Sequence, residues 1–441
     1  MMVRQEKKLI QRDVYLKKLI AFQDKEPVKV ITGIRRCGKS SLLKLMQKHL
    51  LDSGVDAKQI VSLNFESMEY GDMDYQAFYQ YVKKRVVPGK RTYMFFDELQ
   101  RIDRWEDAVN SFRVDFDCDI YITGSNAYLL SSEYATYLSG RYVEIKVYPL
   151  SFMEFIAFHG FEYRDCVSPG GERKKRAYDQ AGEIVELSDL FEAYMRFGGF
   201  PGIADVGLIQ DSAMALLDGV YSTVVVRDIL ERERRRGQRQ ITDAELLRKI
   251  ILFLADNVGN STSLNSVSNT LVSEKMLENR ITKGKPAVQT VASYVGALQE
   301  SYLFYDVKRY DVKGKEYLRT LGKYYIVDVG LRNYLLGLRD RDSGHALENV
   351  VYFELLRRGY DVAIGKVDEW EVDFIATNAS EKIYIQVTES MQNEEVRKRE
   401  LTPLKKVKDN YEKLVLSLNP GMTSSYDGIR SVSLIDWLLA D

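Results

Sequence analysis

Short apolar runs alternate with longer amphipathic stretches along the first third of this 441-residue chain. Val28-Lys29-Val30-Ile31-Thr32 is one such run, and Ser41-Leu42-Leu43-Lys44-Leu45-Met46 behind it has helical spacing. Val61-Ser62-Leu63-Asn64-Phe65-Glu66, Thr92-Tyr93-Met94-Phe95-Phe96 and Asp119-Ile120-Tyr121-Ile122-Thr123 repeat the first kind of run. Strands covered on both faces read as near-continuous hydrophobe. Such strands separated by helices predict an α/β fold with a parallel sheet. In that architecture ligands gather at the carboxyl ends of the strands.

The polar residues at those ends carry the chemistry. Between the first strand and its helix lies Gly33-Ile34-Arg35-Arg36-Cys37-Gly38-Lys39-Ser40-Ser41. G-x-x-x-x-G-K-S in a strand–loop–helix setting is a complete phosphate-binding loop. Glycines let successive amides point inward at phosphate oxygens, and the helix N-terminus adds its positive dipole end. Lys39 is suited to the β- and γ-phosphates, and Ser40 to Mg²⁺. Asp97 and Glu98 end the run Thr92–Phe96. Asp97 is the candidate for the Mg²⁺ shell, with Ser40. Glu98 is the candidate for polarising an attacking water, the alternative being a solvated loop acid. Gly124-Ser125-Asn126 ends the third run, and a polar residue there can meet the γ-phosphate. Arg141 is a candidate arginine finger, in its own subunit or a neighbour's, or else a structural partner of a nearby acid.

Composition narrows the classes. The formal net charge is -1, so any nucleic-acid surface must be local. Cys37, Cys118 and Cys166 are widely separated, giving neither metal spacing nor a disulfide framework, as in a reducing cytoplasm. Met1 to Asp13 is charged without an apolar core, and no run approaches the ~20 apolar residues of a membrane helix.

Beyond residue 160 the character changes. Ser168-Pro169-Gly170-Gly171 leads into Glu172-Arg173-Lys174-Lys175-Arg176, which predicts a surface linker, solvated or touching nucleic acid. Leu187 to Met195 and Ser212 to Glu231 read as helices, although the β-branched Val220–Val226 also suits a strand. Arg232 to Arg239 is arginine-dense. Ala244–Val258, Ser263–Leu271 and Val288–Ser301 read as three helices. Tyr302–Arg309 and Tyr317–Val327 read as a hairpin around Lys313-Gly314-Lys315. Three helices and a hairpin predict a winged helix, with Lys308, Arg309, Lys313, Lys315 and Arg319 available to a phosphate backbone. The third helix offers mainly Gln289, Ser293 and Gln299 for base reading, a poor set, so the alternative is a protein-docking or packing module.

From Ala346 a helix, Leu347–Leu356, precedes strands at Tyr360–Lys366, Glu371–Ala376 and Lys382–Thr388. A helix at Thr402–Asn410 and a strand at Lys413–Leu418 follow. This order is similar to the PD-(D/E)xK nuclease core, in which acids hold metal and a lysine assists water attack. Glu348 and Asp373 match two of its acids. Gln386 stands at the third, and Thr388 at the lysine. The pattern predicts a scaffold that no longer cuts.

The phosphate loop, Phe95-Phe96-Asp97-Glu98, Ile122-Thr123-Gly124-Ser125-Asn126, Gly140-Arg141 and Tyr148-Pro149-Leu150-Ser151-Phe152 together resemble a prokaryotic AAA-type ATPase family whose C-terminal region is a domain of unknown function. Phe197-Gly198-Gly199-Phe200-Pro201 extends the likeness through the chain. The resemblance implies nucleotide binding by Gly33 to Ser40, metal and water acids at Asp97 and Glu98, and a first sensor at Ser125 or Asn126.

The expected organisation is a P-loop ATPase domain over 1–160, a linker and helical segment over 161–240, a winged helix over 241–340 and a degenerate nuclease-like domain over 341–441. The expected function is Mg²⁺-dependent ATP binding and slow hydrolysis, driving a conformational switch in a DNA-associated or protein-complex role. The alternatives are a DNA-binding regulator or defence component that reads ATP as a structural signal, and an active metal-dependent nuclease. Duplex DNA, protein partners and self-association are the candidate interactions; a membrane is not expected.

Overall fold

Five parallel strands form the sheet the apolar runs predict, in a computed structural model that describes residues 9–124, 140–167, 173–231, 241, 243–273, 287–318, 321–339, 343–420 and 423–440. They are β1 (Val28–Thr32), β2 (Ile60–Asn64), β3 (Thr92–Asp97), β4 (Cys118–Thr123) and β5 (Tyr142–Lys146), in the order β2-β3-β4-β1-β5. Every residue of β1 and β3 is buried, whereas the edge strand β2 alternates. This is the difference between a strand covered on both faces and one open at its margin. The helices are α1 (Asp13–Ala21), α2 (Lys39–Asp52), α3 (Tyr75–Lys83) and α4 (Trp105–Asp115). Phe78 of α3 meets Phe65, Phe96 and Phe112 edge-on, with centroids 5.3, 4.8 and 5.1 Å away, a geometry aromatic rings favour. Asp74 caps α3 by accepting from the Ala77 amide at 2.7 Å. At the amino ends of the strands a fully buried ion pair joins Lys29 to Asp119, and Tyr121 also donates to Asp119 at 2.9 Å.

The chain divides into two compact units. The first runs to Tyr148 and includes Glu300–Tyr302; the second holds Pro149–Gln299 and Leu303–Asp441. The expected boundary at 160 thus falls inside the second unit.

In the second unit the expected linker is a small antiparallel sheet of β6 (Glu162–Val167), β7 (Arg173–Tyr178) and β8 (Ile184–Val185). Its strands carry no clear strand signal in the sequence because half of β6 is charged and most of it is exposed. Helices Leu187–Phe197 and Gln210–Thr223 follow, and the latter continues as a π-helix over Val224–Glu231. The β-branched run is therefore helical, tertiary packing overriding propensity. The arginine-dense 232–239 lies outside the described residues.

Helices Ala244–Asp256, Leu264–Ser273 and Val288–Glu300 form as expected, but the hairpin divides. The strands after β9 (Ser261–Thr262) are β10 (Phe304–Val307), β11 (Arg309–Asp311), β12 (Glu316–Tyr317) and β13 (Gly322–Ile326). The first sheet has the order β10-β13-β9. The turn at Lys313-Gly314-Lys315 instead joins β11 to β12, with Asp311 accepting from the Lys313 and Gly314 amides. Those two strands extend an eight-stranded sheet, β12-β11-β14-β15-β16-β17-β19-β18. Its other members are β14 (Asp361–Val367), β15 (Trp370–Thr377), β16 (Lys382–Ser390), β17 (Glu412–Asn419), β18 (Ser425–Tyr426) and β19 (Ile429–Ser433).

Helix Ser343–Arg357 begins before the expected span. The next helix is Glu394–Lys406, not 402–410. Asn393 starts it by accepting from the Glu395 and Val396 amides, and its dense charge hid it. Among the described residues no helix is long and apolar enough to cross a membrane.

Candidate functional site

β1 delivers the chain to its carboxyl end at Thr32, and there the backbone turns. Gly33 has φ +138, and a Cβ on it would lie 2.1 Å from the Val147 carbonyl oxygen. Only glycine fits such a close approach. Gly38, with φ +103, starts α2 without a side-chain cap. The first amides of α2 are thus free of a competing side-chain oxygen, the arrangement that receives an anion. Lys39 is buried and its Nζ donates to the carbonyls of Gly33 at 2.8 Å and Ile34 at 3.1 Å. Its stem therefore spans the loop from helix to strand. Ile34 and Cys37 are fully buried beneath the loop. Arg36 takes φ +65, and Ser41 continues the first turn of α2.

Asp97 and Glu98 follow β3. Asp97 Oδ2 accepts from Asn64 Nδ2 at 3.1 Å, and Oδ1 accepts from the Thr123 hydroxyl. Burial pushes the Asp97 carboxyl up, while hydrogen bonds from Thr123 and Ser40 hold it down. Ser40 and Asp97 thus form an all-oxygen pair of the kind Mg²⁺ takes, and the site's residues fit that ion. Glu98 has φ +56 and its amide donates to Thr123 Oγ1 at 3.1 Å. Gln100 Nε2 donates to Glu98 Oε2 at 2.7 Å. Arg35 reaches Glu98 Oε2 at 3.6 Å and Glu66 Oε1 at 3.0 Å. Thr123, at the end of β4 between β1 and β3, therefore links both acids. The structure brings together the loop, Asp97 and Glu98.

It does not bring Arg141 to them. Arg141 is exposed, and its carbonyl accepts from the Val28 amide at 2.9 Å. That places it at the amino end of β1. The phosphate loop leaves the carboxyl end, five residues and about 16 Å away at strand rise. Arg141 consequently cannot serve as an arginine finger to the loop of its own chain. Its nearness in sequence to β5 had concealed the direction of that strand. Ser125 and Asn126 lie outside the described residues.

Three supporting residues carry no motif. Arg12 is 2% exposed, and its guanidinium donates to the Cys37 carbonyl at 2.8 Å and the Tyr148 carbonyl at 2.9 Å. It pins the loop from below. Thr32 donates to Glu144 at 2.6 Å. Tyr302, buried with φ +59, hydrogen-bonds to both through its hydroxyl. Strand-end polarity hints at Thr32; nothing local marks Arg12 or Tyr302.

A second constellation lies in the other unit, beside a cavity of about 590 Å³ lined in part by Glu348, Glu371, Asp373, Gln386, Thr388 and Glu400. Asp373 Oδ2 accepts from the Val387 amide at 2.8 Å. Gln386 Nε2 donates to Glu400 Oε2 at 3.1 Å. Burial first, and then Glu348, push the Asp373 carboxyl well up. Thr388 brings no charge, as expected, but a cation is present after all. Lys323 of β13 places Nζ 3.1 Å from Glu348 Oε2 and 2.9 Å from Glu371 Oε1. Sequence reading had missed it because it comes from a different sheet. Among the described residues no group of three or more His, Cys, Asp or Glu side chains is arranged to hold a metal ion.

Two family models match the chain. Residues 25–156 match an AAA domain, and residues 188–342 match a domain of unknown function, DUF8612. An uncharacterized protein of Haemophilus influenzae is 39% identical over 437 residues, 98% of this chain and 99% of that one. One from Methanocaldococcus jannaschii is 28% identical over 416 residues, 92% and 83% of the two chains. Among solved structures, a Walker-type ATPase of Pyrococcus abyssi is similar with a TM-score of 0.47 and 16% identity, over 75% of this chain and 97% of that one.

Proposed function

This chain belongs to the AAA-type P-loop ATPase family that carries DUF8612, and from that premise we propose that it binds ATP with Mg²⁺ at Gly33–Ser41 and hydrolyses it slowly to switch conformation. The observation that carries the reading is the convergence of Lys39, Ser40, Asp97 and Glu98 at the carboxyl ends of β1 and β3, with Thr123 joining the two acids.

The loop amides and the start of α2 receive the phosphates. Lys39 exchanges the carbonyls of Gly33 and Ile34 for phosphate oxygens, a stronger charge-assisted contact. Ser40 and Asp97 would hold Mg²⁺, which would supply positive charge against the phosphate oxygens. Glu98 orients the attacking water and takes its proton. Thr123 keeps the two acids in register throughout. The switch is the exchange of partners by Arg35 and Lys39 as phosphates arrive and leave.

Calorimetry and phosphate release test this together. Lys39→Ala is expected to abolish nucleotide binding. Glu98→Gln is expected to bind ATP but lose at least about a hundredfold in turnover. Unchanged turnover in Glu98→Gln removes that acid from the mechanism.

The second reading is a DNA-bound regulator or defence component. Its support is the basic strand β7 and the turn at Lys313-Gly314-Lys315. Lys313, however, is already paired with Asp368 at 2.7 Å. Duplex binding that falls steeply with salt would favour this reading; no binding at low salt would remove it.

A further inference from the structure

We infer that Lys323 is the resident cation of the carboxylate cluster formed by Glu348, Glu371 and Asp373, standing in for the divalent metal that such a cluster would otherwise need. The Lys323 side chain is 5% exposed, and its ammonium contacts Glu348 and Glu371 directly. Tyr325 donates to the same Glu348 oxygen at 3.0 Å. A lysine ammonium is a compact point charge with three donors. Here it directs that charge at two carboxylates from two elements, helix Ser343–Arg357 and β15, while itself belonging to β13. It therefore joins three elements through ionic contacts, as a structural metal would.

The neighbouring groups leave little for a metal to bind. Gln386 offers an amide in place of a carboxylate. Its Oε1 accepts weakly from the Asp373 amide at 3.4 Å, and its Nε2 is committed to Glu400. Glu400 is held in turn by Arg399 at 2.7 Å. Asp373 Oδ2 is taken by the Val387 amide. A divalent ion entering here would meet an ammonium already in contact with its ligands, and like charges at such separations repel strongly in a partly buried site. Burial alone would lower the Lys323 pKa, but Glu348, Asp373 and Glu371 hold it above the ordinary lysine value, so the charge persists. The three carboxylates are thus neutralised in part by Lys323 itself, which occupies the position a divalent cation would need.

The test is Mn²⁺ binding to the full chain without nucleotide, in an Asp97→Asn background that disables the site at the phosphate loop. With Lys323 present, isotherms with and without Asp373→Asn are expected to coincide. Lys323→Met is expected to gain one Mn²⁺ site, lost again on adding Glu348→Gln. Should Lys323→Met not fold in EDTA, Mn²⁺ is expected to restore the fold. Mn²⁺ uptake that depends on Asp373 while Lys323 is intact overturns the inference. So does a Lys323→Met protein that neither binds Mn²⁺ nor recovers with it.

Discussion

The guanidinium of Arg35 lies 3.6 Å from the Glu98 carboxylate, so one ionic contact ties the phosphate loop to the acid that follows β3. The same side chain donates to Glu66 at 3.0 Å. A cation shared between two carboxylates within the loop is well placed to turn to phosphate oxygens, which carry more charge. On the proposed function, the loop and Glu98 would respond as one unit to nucleotide.

Arg35→Ala is therefore expected to raise the Kd for ATP about tenfold, roughly 1.4 kcal/mol. Arg35→Lys should recover part of that loss, because charge remains but the two-pronged reach does not. Titration with a fluorescent ATP analogue reads both. An unchanged Kd in Arg35→Ala would confine Arg35 to a structural contact.

Gly33→Ala places a methyl group against the Val147 carbonyl, where a Cβ has 2.1 Å to that oxygen. The disallowed φ by itself costs about 1–3 kcal/mol. Loss of ATP binding together with a lower denaturant midpoint is expected. A variant with wild-type midpoint and affinity would mean that the β1–β5 margin yields more readily than its hydrogen bonds imply.

Asp328 supplies a pH dependence. It is buried and accepts from the Gly199 amide at 2.6 Å and the Leu331 amide at 3.0 Å. Burial raises its pKa from 3.8 to about 6 against those bonds. The folded state then holds more protons than the unfolded one between those values. Stability must therefore fall as pH rises from 3.8 through about 6, and level off above. Asp328→Asn should flatten that slope, read from urea midpoints on either side of the window. An equal slope in the variant would assign the titration to another group.

The parts of this molecule that read from sequence are those whose signal is local. Gly33–Ser40 and the buried strands declare themselves because a few consecutive residues make the loop and each strand. Arg12 reaches the Cys37 carbonyl across 25 positions, and Lys323 meets Glu348 and Glu371 only after two sheets have formed. No pattern within one segment encodes either contact. Arg141 shows the complementary case. Strand direction, which no single residue reveals, sets it at the amino end of β1, away from the loop of its own chain. Strand β6 reads as linker because its outward charges mask the alternation that a half-buried strand normally shows.

Tyr302 has a practical bearing on how this protein can be dissected. It joins Thr32 and Glu144 from a position far downstream, within a three-residue stretch that clusters with the nucleotide-binding unit. A recombinant fragment stopped at Tyr148 would keep every residue of the loop yet lack the phenol beneath it. Catalytic measurements on such a truncation would describe an undercut loop, so the intact polypeptide is the proper material for enzymology.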